Sequence, residues 1–311
     1  MIARHWRLAL AALLLMVVTL GLEAPQASAA TARTVSRSRA SAGTLHRKTA
    51  RRVTRARRVR RAPQGGVYAR CAVVMDPVTG TVLYQKNADR SAPIASITKL
   101  MTAMVFLEQK PNLLRDVEVT REELYQGGHT QLREHETLPL GDLLHMSLMC
   151  SDNVATRVIA RESGLSRGDF LARMNAKAAE LELKDTHFVE PTGLDQNNVS
   201  TASDVAHLLQ AAAGQPLIHS ITTTSSYEFS TGRRDHLINN TNRLLKSRYQ
   251  ILGGKTGFIN ESGYCFATWL RADGRDLIAV VLGAPTNATR FADVVRMVQH
   301  TVATGFAPAK S

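Results

Sequence analysis

Strand-like runs stand at both ends of the globular part of this chain, and helical patterns fill the stretch between them. Residues 67–75 read as a strand, Asp76-Pro77-Val78-Thr79-Gly80 as a turn, and residues 81–85 as the returning strand. Residues 95–106 place Ile97, Leu100, Met101, Met104 and Val105 at helical spacing. Residues 138–149, 153–161 and 169–183 read as further helices, the last opened by Ser166 with Asp169 three residues on. Thr201 and Asp204 repeat that capping pattern before an apolar helix that stops at Gly214. Residues 252–259, 264–272 and 276–284 return to strand, joined by Asn260-Glu261-Ser262-Gly263 and Asp273-Gly274. A helix over 289–302 follows. This order predicts an α+β or mixed α/β body: one antiparallel sheet with a helical region inserted in its middle.

The charge of +13 suggests a nucleic-acid binder until it is located. Residues 31–62 carry twelve Lys or Arg and no acid, whereas residues 63–311 carry 25 basic and 25 acidic side chains. The basicity belongs to a tail. Nucleic acid is not expected as a partner. Ahead of that tail, MIARHWR is basic, residues 8–22 are a 15-residue apolar run, and Ala27-Ser28-Ala29 offers a small-residue cleavage site. A membrane span needs about 20 residues, so 1–29 reads as a cleaved signal peptide and the mature chain is expected to be exported. Residues 30–65 have too few large apolar side chains to offset ordering entropy, and a disordered Arg-rich linker is expected there. It serves either as a solvated spacer or as an electrostatic tether to anionic polymers. Three cysteines are too few for a disulfide scaffold; Cys71 and Cys265 fall in strands as apolar thiols, and Cys150 sits beside Ser151.

Three short motifs carry the chemistry. Ser96-Ile97-Thr98-Lys99 opens the first helix, and positions three apart share a helix face. Ser151-Asp152-Asn153 lies between two helices, and Lys255-Thr256-Gly257 follows Gly253-Gly254 at the opening of a strand. Each alone has an ordinary explanation: a cap and a solvated lysine, an N-cap cluster, a glycine-rich turn. The last is not a phosphate loop, because the G-x-x-x-x-G-K order is missing.

In this order the three form the set shared by penicillin-binding proteins and class A β-lactamases. The chain resembles the low-molecular-mass penicillin-binding proteins, serine D-alanyl-D-alanine peptidases of family S11, and most of all their D-alanyl-D-alanine endopeptidase branch (penicillin-binding protein 7 type). PIASITKLMTAM, FVEPTGLDQNNVSTASDVAHLL and LGGKTGFINESGYCF carry the likeness, over about residues 67–305. It implies a β-lactamase/D,D-peptidase-like transpeptidase fold, with a five-stranded antiparallel sheet flanked by helices and an inserted helical subdomain. The catalytic domain is expected over 66–305, with 306–311 as a tail.

The resemblance also implies an acyl-enzyme on Ser96, peptidoglycan peptide stems as substrate, β-lactams as covalent inhibitors, a periplasmic or envelope location, and no cofactor or metal. Ser96 needs a base. Lys99 serves only when neutral, and burial together with the charge of Lys255 is expected to depress its pKa. Ser151 relays protons, and which of Lys99 and Ser151 acts first is open. Asn153 holds Lys99 and the substrate amide. Lys255, Thr256 and Gly257 bind the substrate, and the backbone N–H groups of Ser96 and Phe258 form the oxyanion hole. Glu190 stands in P-T-G-L context rather than the E-x-x-L-N of a β-lactamase, and a structural role is expected. Carboxypeptidase is the nearest alternative activity, with β-lactamase or non-catalytic wall binding behind it. The chain stops soon after its last helix pattern, which favours the short endopeptidase branch. A zinc-peptidase reading lacks its motif: there is no H-E-x-x-H, and His129 with His135 read as surface or satisfied core.

Overall fold

Residues 66–309 are described in a computed structural model; the expected signal peptide and Arg-rich linker lie outside the described residues. β1 (Cys71–Met75), β2 (Val82–Lys86) and the two-residue β3 (Ala92–Pro93) come first, and one 3-10 turn, Ala95–Thr98, runs into α1 (Lys99–Glu108). β4 (Asp116–Glu118), α2 (Arg121–Leu124) and β5 (Thr137–Pro139) follow. α3 (Leu140–His145) ends in a π turn, Met146–Cys150, before α4 (Asn153–Arg161) and α5 (Arg167–Glu180). β6 (Val199–Ser200), α6 (Ala202–Ala213), α7 (Pro216–Thr223), β7 (Ser226–Ser230) and β8 (Asp235–Asn239) lead back to the sheet. β9 (Gln250–Ile259), β10 (Gly263–Ala272), β11 (Arg275–Ala284) and α8 (Asn287–Ala303) complete the chain.

The main sheet has five antiparallel strands in the order β2-β1-β11-β10-β9. Alternate residues of its central strands serve two cores. Val73, Met75, Val280 and Leu282 pack with α1 and α6, whereas Ala72, Val74, Ala279 and Val281 pack with Phe291, Val294 and Met297 of α8. Both faces are covered, which is why β1 and β11 read as continuous apolar runs instead of alternating ones. A Cβ on Gly253 would stand 2.8 Å from that of Ala213, so glycine lets β9 lie close under α6. Among the described residues no helix is long and apolar enough to cross a membrane.

Three expectations shift. The strand expected over 67–75 begins later: Tyr68 and Ala69 donate their N–H groups to the buried Asp293 carboxylate of α8 at 3.0 and 2.7 Å, not to a neighbouring strand. The helix expected over 138–149 is α3 plus a π turn, whose C-cap Ser151 is left-handed at φ 65°. Lys255 lies in the middle of β9, not at its opening. Residues 306–309 continue to pack: Arg275 lies 4.4 Å over the Phe306 ring and Ala309 N–H donates to Val82 at 2.9 Å.

Candidate active site

Ser96 sits in the 3-10 turn ahead of α1, after Ala95, which is held left-handed at φ 49°. Ser151, in the second motif, is left-handed as well, at φ 65°. One turn on, Lys99 is 0% exposed. Its Nζ lies 2.9 Å from Ser96 Oγ, 2.7 Å from Asn153 Oδ1 and 2.5 Å from the Thr192 carbonyl oxygen. The last two oxygens only accept. Burial pushes the Lys99 amine down to about 7, against the opposing pull of Glu190 and Asp152. A neutral amine donating to both acceptors turns its lone pair toward the one neighbour with a proton to give, the Ser96 hydroxyl.

The second motif is set by the π turn. Its extra residue carries the chain out of the helix at Ser151, whose Oγ is buried without a hydrogen-bond partner among the described residues. Asp152 caps α4 through Ala155 N–H at 3.0 Å and accepts from Thr130 Oγ1 at 2.7 Å. Asn153 fixes Lys99 through its oxygen and donates one N–H to the Gly127 carbonyl at 3.0 Å, leaving the second amide hydrogen for another acceptor.

β9, the edge strand, brings the third motif alongside. Lys255 is 1% exposed, and among the described residues its Nζ has one hydrogen bond, to the Thr256 carbonyl at 3.1 Å. Burial first, then the Lys99 charge, hold its amine well below the ordinary lysine value. For Lys99 burial is the largest cause, and Lys255 is not among the charges that act on it. Among the described residues Lys255 has no carboxylate partner. Thr256 Oγ1 lies 2.7 Å from Thr241 Oγ1, and Thr241 N–H donates to Met149 at 2.9 Å, tying β9 to the π turn. A Cβ on Gly257 would stand 2.8 Å from the Ile94 oxygen and 3.1 Å from the Ser96 nitrogen. The missing side chain lets the two backbones meet. Phe258, 46% exposed, stacks on Tyr264 with ring centroids 4.2 Å apart.

The family model for peptidase S11, D-alanyl-D-alanine carboxypeptidase, matches residues 57–286. The chain belongs to this family of serine-type D-Ala-D-Ala peptidases. A D-alanyl-D-alanine endopeptidase of Pseudomonas aeruginosa is 37% identical over 231 residues, 73% of this chain and 74% of that protein. The fold is that of the D,D-transpeptidases. The Streptomyces K15 DD-transpeptidase superposes with a TM-score of 0.71 at 26% identity, covering 76% of this chain and 98% of its own. Penicillin-binding protein D2 of Listeria monocytogenes, in its cefotaxime-bound form, gives 0.67 at 30% identity over 75% of this chain and 96% of its own.

Within this S11 chain, Glu190 spends both carboxylate oxygens on its own loop. Oε2 accepts from the Thr192 N–H and hydroxyl at 2.8 and 2.5 Å, and Oε1 from Gly193 N–H at 2.5 Å and Asn198 Nδ2 at 2.8 Å. The loop thereby presents the Thr192 carbonyl to Lys99. Cys150 is half-buried, donates to the Met146 carbonyl at 3.2 Å, and is pushed up to about 11 by burial, so it is a thiol and not a thiolate. Cys71 and Cys265 are buried and free. Sequence reading missed Thr241, the Thr192 carbonyl and Gly127. Two act through backbone atoms, which no side-chain motif reports, and Thr241 lies in a connection with no pattern of its own.

Proposed function

We propose that this chain is a D-alanyl-D-alanine endopeptidase, exported to the periplasm or cell envelope, that hydrolyses D-Ala-containing cross-links of peptidoglycan through an acyl-enzyme on Ser96. The observation that carries the reading is the Lys99 amine, buried, near neutrality, and 2.9 Å from Ser96 Oγ. Ser96 Oγ attacks the D-Ala carbonyl carbon as Lys99 takes its proton. The backbone N–H groups of Ser96 and Phe258 hold the oxyanion, each donor worth about 3 kcal/mol. The C–N bond breaks, and the leaving amine receives its proton through Ser151, whose unpartnered Oγ is free to relay it. Water then hydrolyses the ester. Asn153 orients the substrate amide with its second amide hydrogen. Lys255 and Thr256, with Gly257 between them and the Ser96 backbone, bind the carboxylate end; a bound anion favours the charged form of Lys255, which burial disfavours. β-Lactams enter the same path and stall at the ester, because Glu190 is committed to its loop and does not activate water. The Arg-rich segment, in this reading, holds the enzyme near anionic envelope polymers.

Similarity to a D-alanyl-D-alanine endopeptidase supports endopeptidase over carboxypeptidase action. Digestion of purified cross-linked muropeptide dimers beside free pentapeptides, read by mass, tests it. Dimers are expected to fall to monomers faster than pentapeptides lose their terminal D-Ala; the reverse order assigns the chain as a carboxypeptidase. The base adds a pH expectation. Below about 7 Lys99 is an ammonium and cannot accept a proton; above it the neutral amine dominates. The second-order rate of acylation should therefore rise with pH, with its midpoint near 7. A flat profile from pH 5 to 9 would remove Lys99 as the base.

A further inference from the structure

Arg290 is a buried cation that the chemistry above leaves unused. It rises from the first turns of α8, is 6% exposed, and its Nη1 donates to the carbonyl oxygens of Gly257 at 3.0 Å and Cys265 at 3.2 Å. The guanidinium lies 5.4 Å from the Tyr264 ring and 5.0 Å from that of Phe291. Among the described residues its Nε has no hydrogen-bond partner, and no carboxylate pairs with the guanidinium. A buried charge without a counter-ion is costly to keep, and plain packing is better served by an apolar side chain. The dipoles it meets belong to the catalytic strand.

The Gly257 carbonyl and the Phe258 N–H are the two ends of one planar trans peptide group, so they point to opposite sides of β9. Gly257 pairs with Cys265 across the β9–β10 ladder, and β9 is the sheet's edge. The carbonyl therefore faces inward to Arg290, and the N–H faces the free edge beside the Ser96 backbone. A cationic donor on a peptide oxygen draws density away from the nitrogen and strengthens the N–H as a donor. We propose that Arg290 is a positioning residue that polarises and aims the Gly257–Phe258 peptide, so that the Phe258 N–H meets the oxyanion as a charge-assisted donor. This inference rests on the reading of Ser96 as the nucleophile and the Phe258 N–H as half of the oxyanion hole.

The ester carbonyl of a penicilloyl enzyme lies in that hole, and its infrared stretching frequency reports the donors directly. Arg290→Lys, Arg290→Gln and Arg290→Met are to be acylated and compared with wild type, with thermal melting as the check on folding. In Arg290→Met the ester band is expected to move to higher wavenumber. Acylation should slow about tenfold, a part of the full loss of an oxyanion donor, while non-covalent binding before acylation stays unchanged. Arg290→Lys should recover most of both effects and Arg290→Gln, neutral, little. Should Arg290→Met fail to fold, the lysine–glutamine difference alone decides. A slowed variant whose ester band stays at the wild-type frequency would reduce Arg290 to packing. A loss confined to initial binding would mean that the guanidinium touches the ligand itself. Wild type that forms no ester at Ser96 overturns the functional reading; wild type that does, with a band indifferent to residue 290, overturns only this inference.

Discussion

Ser96→Ala is expected to lose all covalent labelling by a fluorescent penicillin. Nothing near it replaces the lost oxygen: Ser151 Oγ is buried, and Cys150 is a thiol held up at about 11. The substitution removes one of three contacts of Lys99 Nζ and leaves those to Asn153 and Thr192, so the fold and its melting temperature should persist. Removing the nucleophile of a hydrolase of this kind typically costs roughly 10⁴-fold or more in turnover. Gel fluorescence and intact mass measure the adduct. A wild-type-like mass shift in Ser96→Ala would move the nucleophile elsewhere and, with it, every role assigned around Lys99.

Gly193→Ala should come close to the same loss by a different route. Gly193 has φ +84°, and a Cβ there would lie 2.0 Å from the Ala95 oxygen and 2.8 Å from the Ser96 nitrogen. No side-chain motion relieves a clash between a Cβ and backbone. A left-handed alanine costs about 1–2 kcal/mol and overpacking adds roughly 1–3 kcal/mol. The denaturation midpoint should fall accordingly, by about 3 kcal/mol of stability. The segment that must move carries both the nucleophile and one oxyanion donor, so acylation of the protein that remains folded should fall sharply. Urea melts and acylation rates on the folded fraction separate the two effects. A stable, fully reactive Gly193→Ala protein would show that the loop and the Ser96 turn are not in register as described.

Much of the fold is legible because its patterns are local. Ser166 and Thr201 cap α5 and α6 where the sequence places them. The three C-terminal strands begin within two residues of expectation, since glycine and aspartate punctuate their turns. What escaped has identifiable causes. The π turn is invisible because Met146, Leu148 and Met149 stay buried either way, so one extra residue leaves no mark on the apolar pattern. β8 leaves little apolar pattern because buried His236 occupies a core-facing position that reads as polar, and β7 buries Phe229 alone of its five residues. The false start of β1 has a remote cause, the Asp293 carboxylate more than two hundred residues on. In the site, the three motifs announce themselves as contiguous strings. Arg290 does not, because its partner is a carbonyl on another element.

The pairing of β1 with β11, Cys71 opposite Leu282, also sets when the protein comes into being. A chain made from its N-terminus produces β1, an inner strand of the sheet, early, and the central strand β11 that pairs with it almost at the end. Until then Cys71–Met75 has a ladder on one side only, to β2, and contacts so distant along the chain close slowly. Loss of β11 would cut the β1–β2 hairpin off from the β9–β10 hairpin, so a nascent or truncated chain has no complete sheet to fall back on. Such late closure suits the proposed export, because a polypeptide that has not yet met its own C-terminal third can still be threaded through a channel.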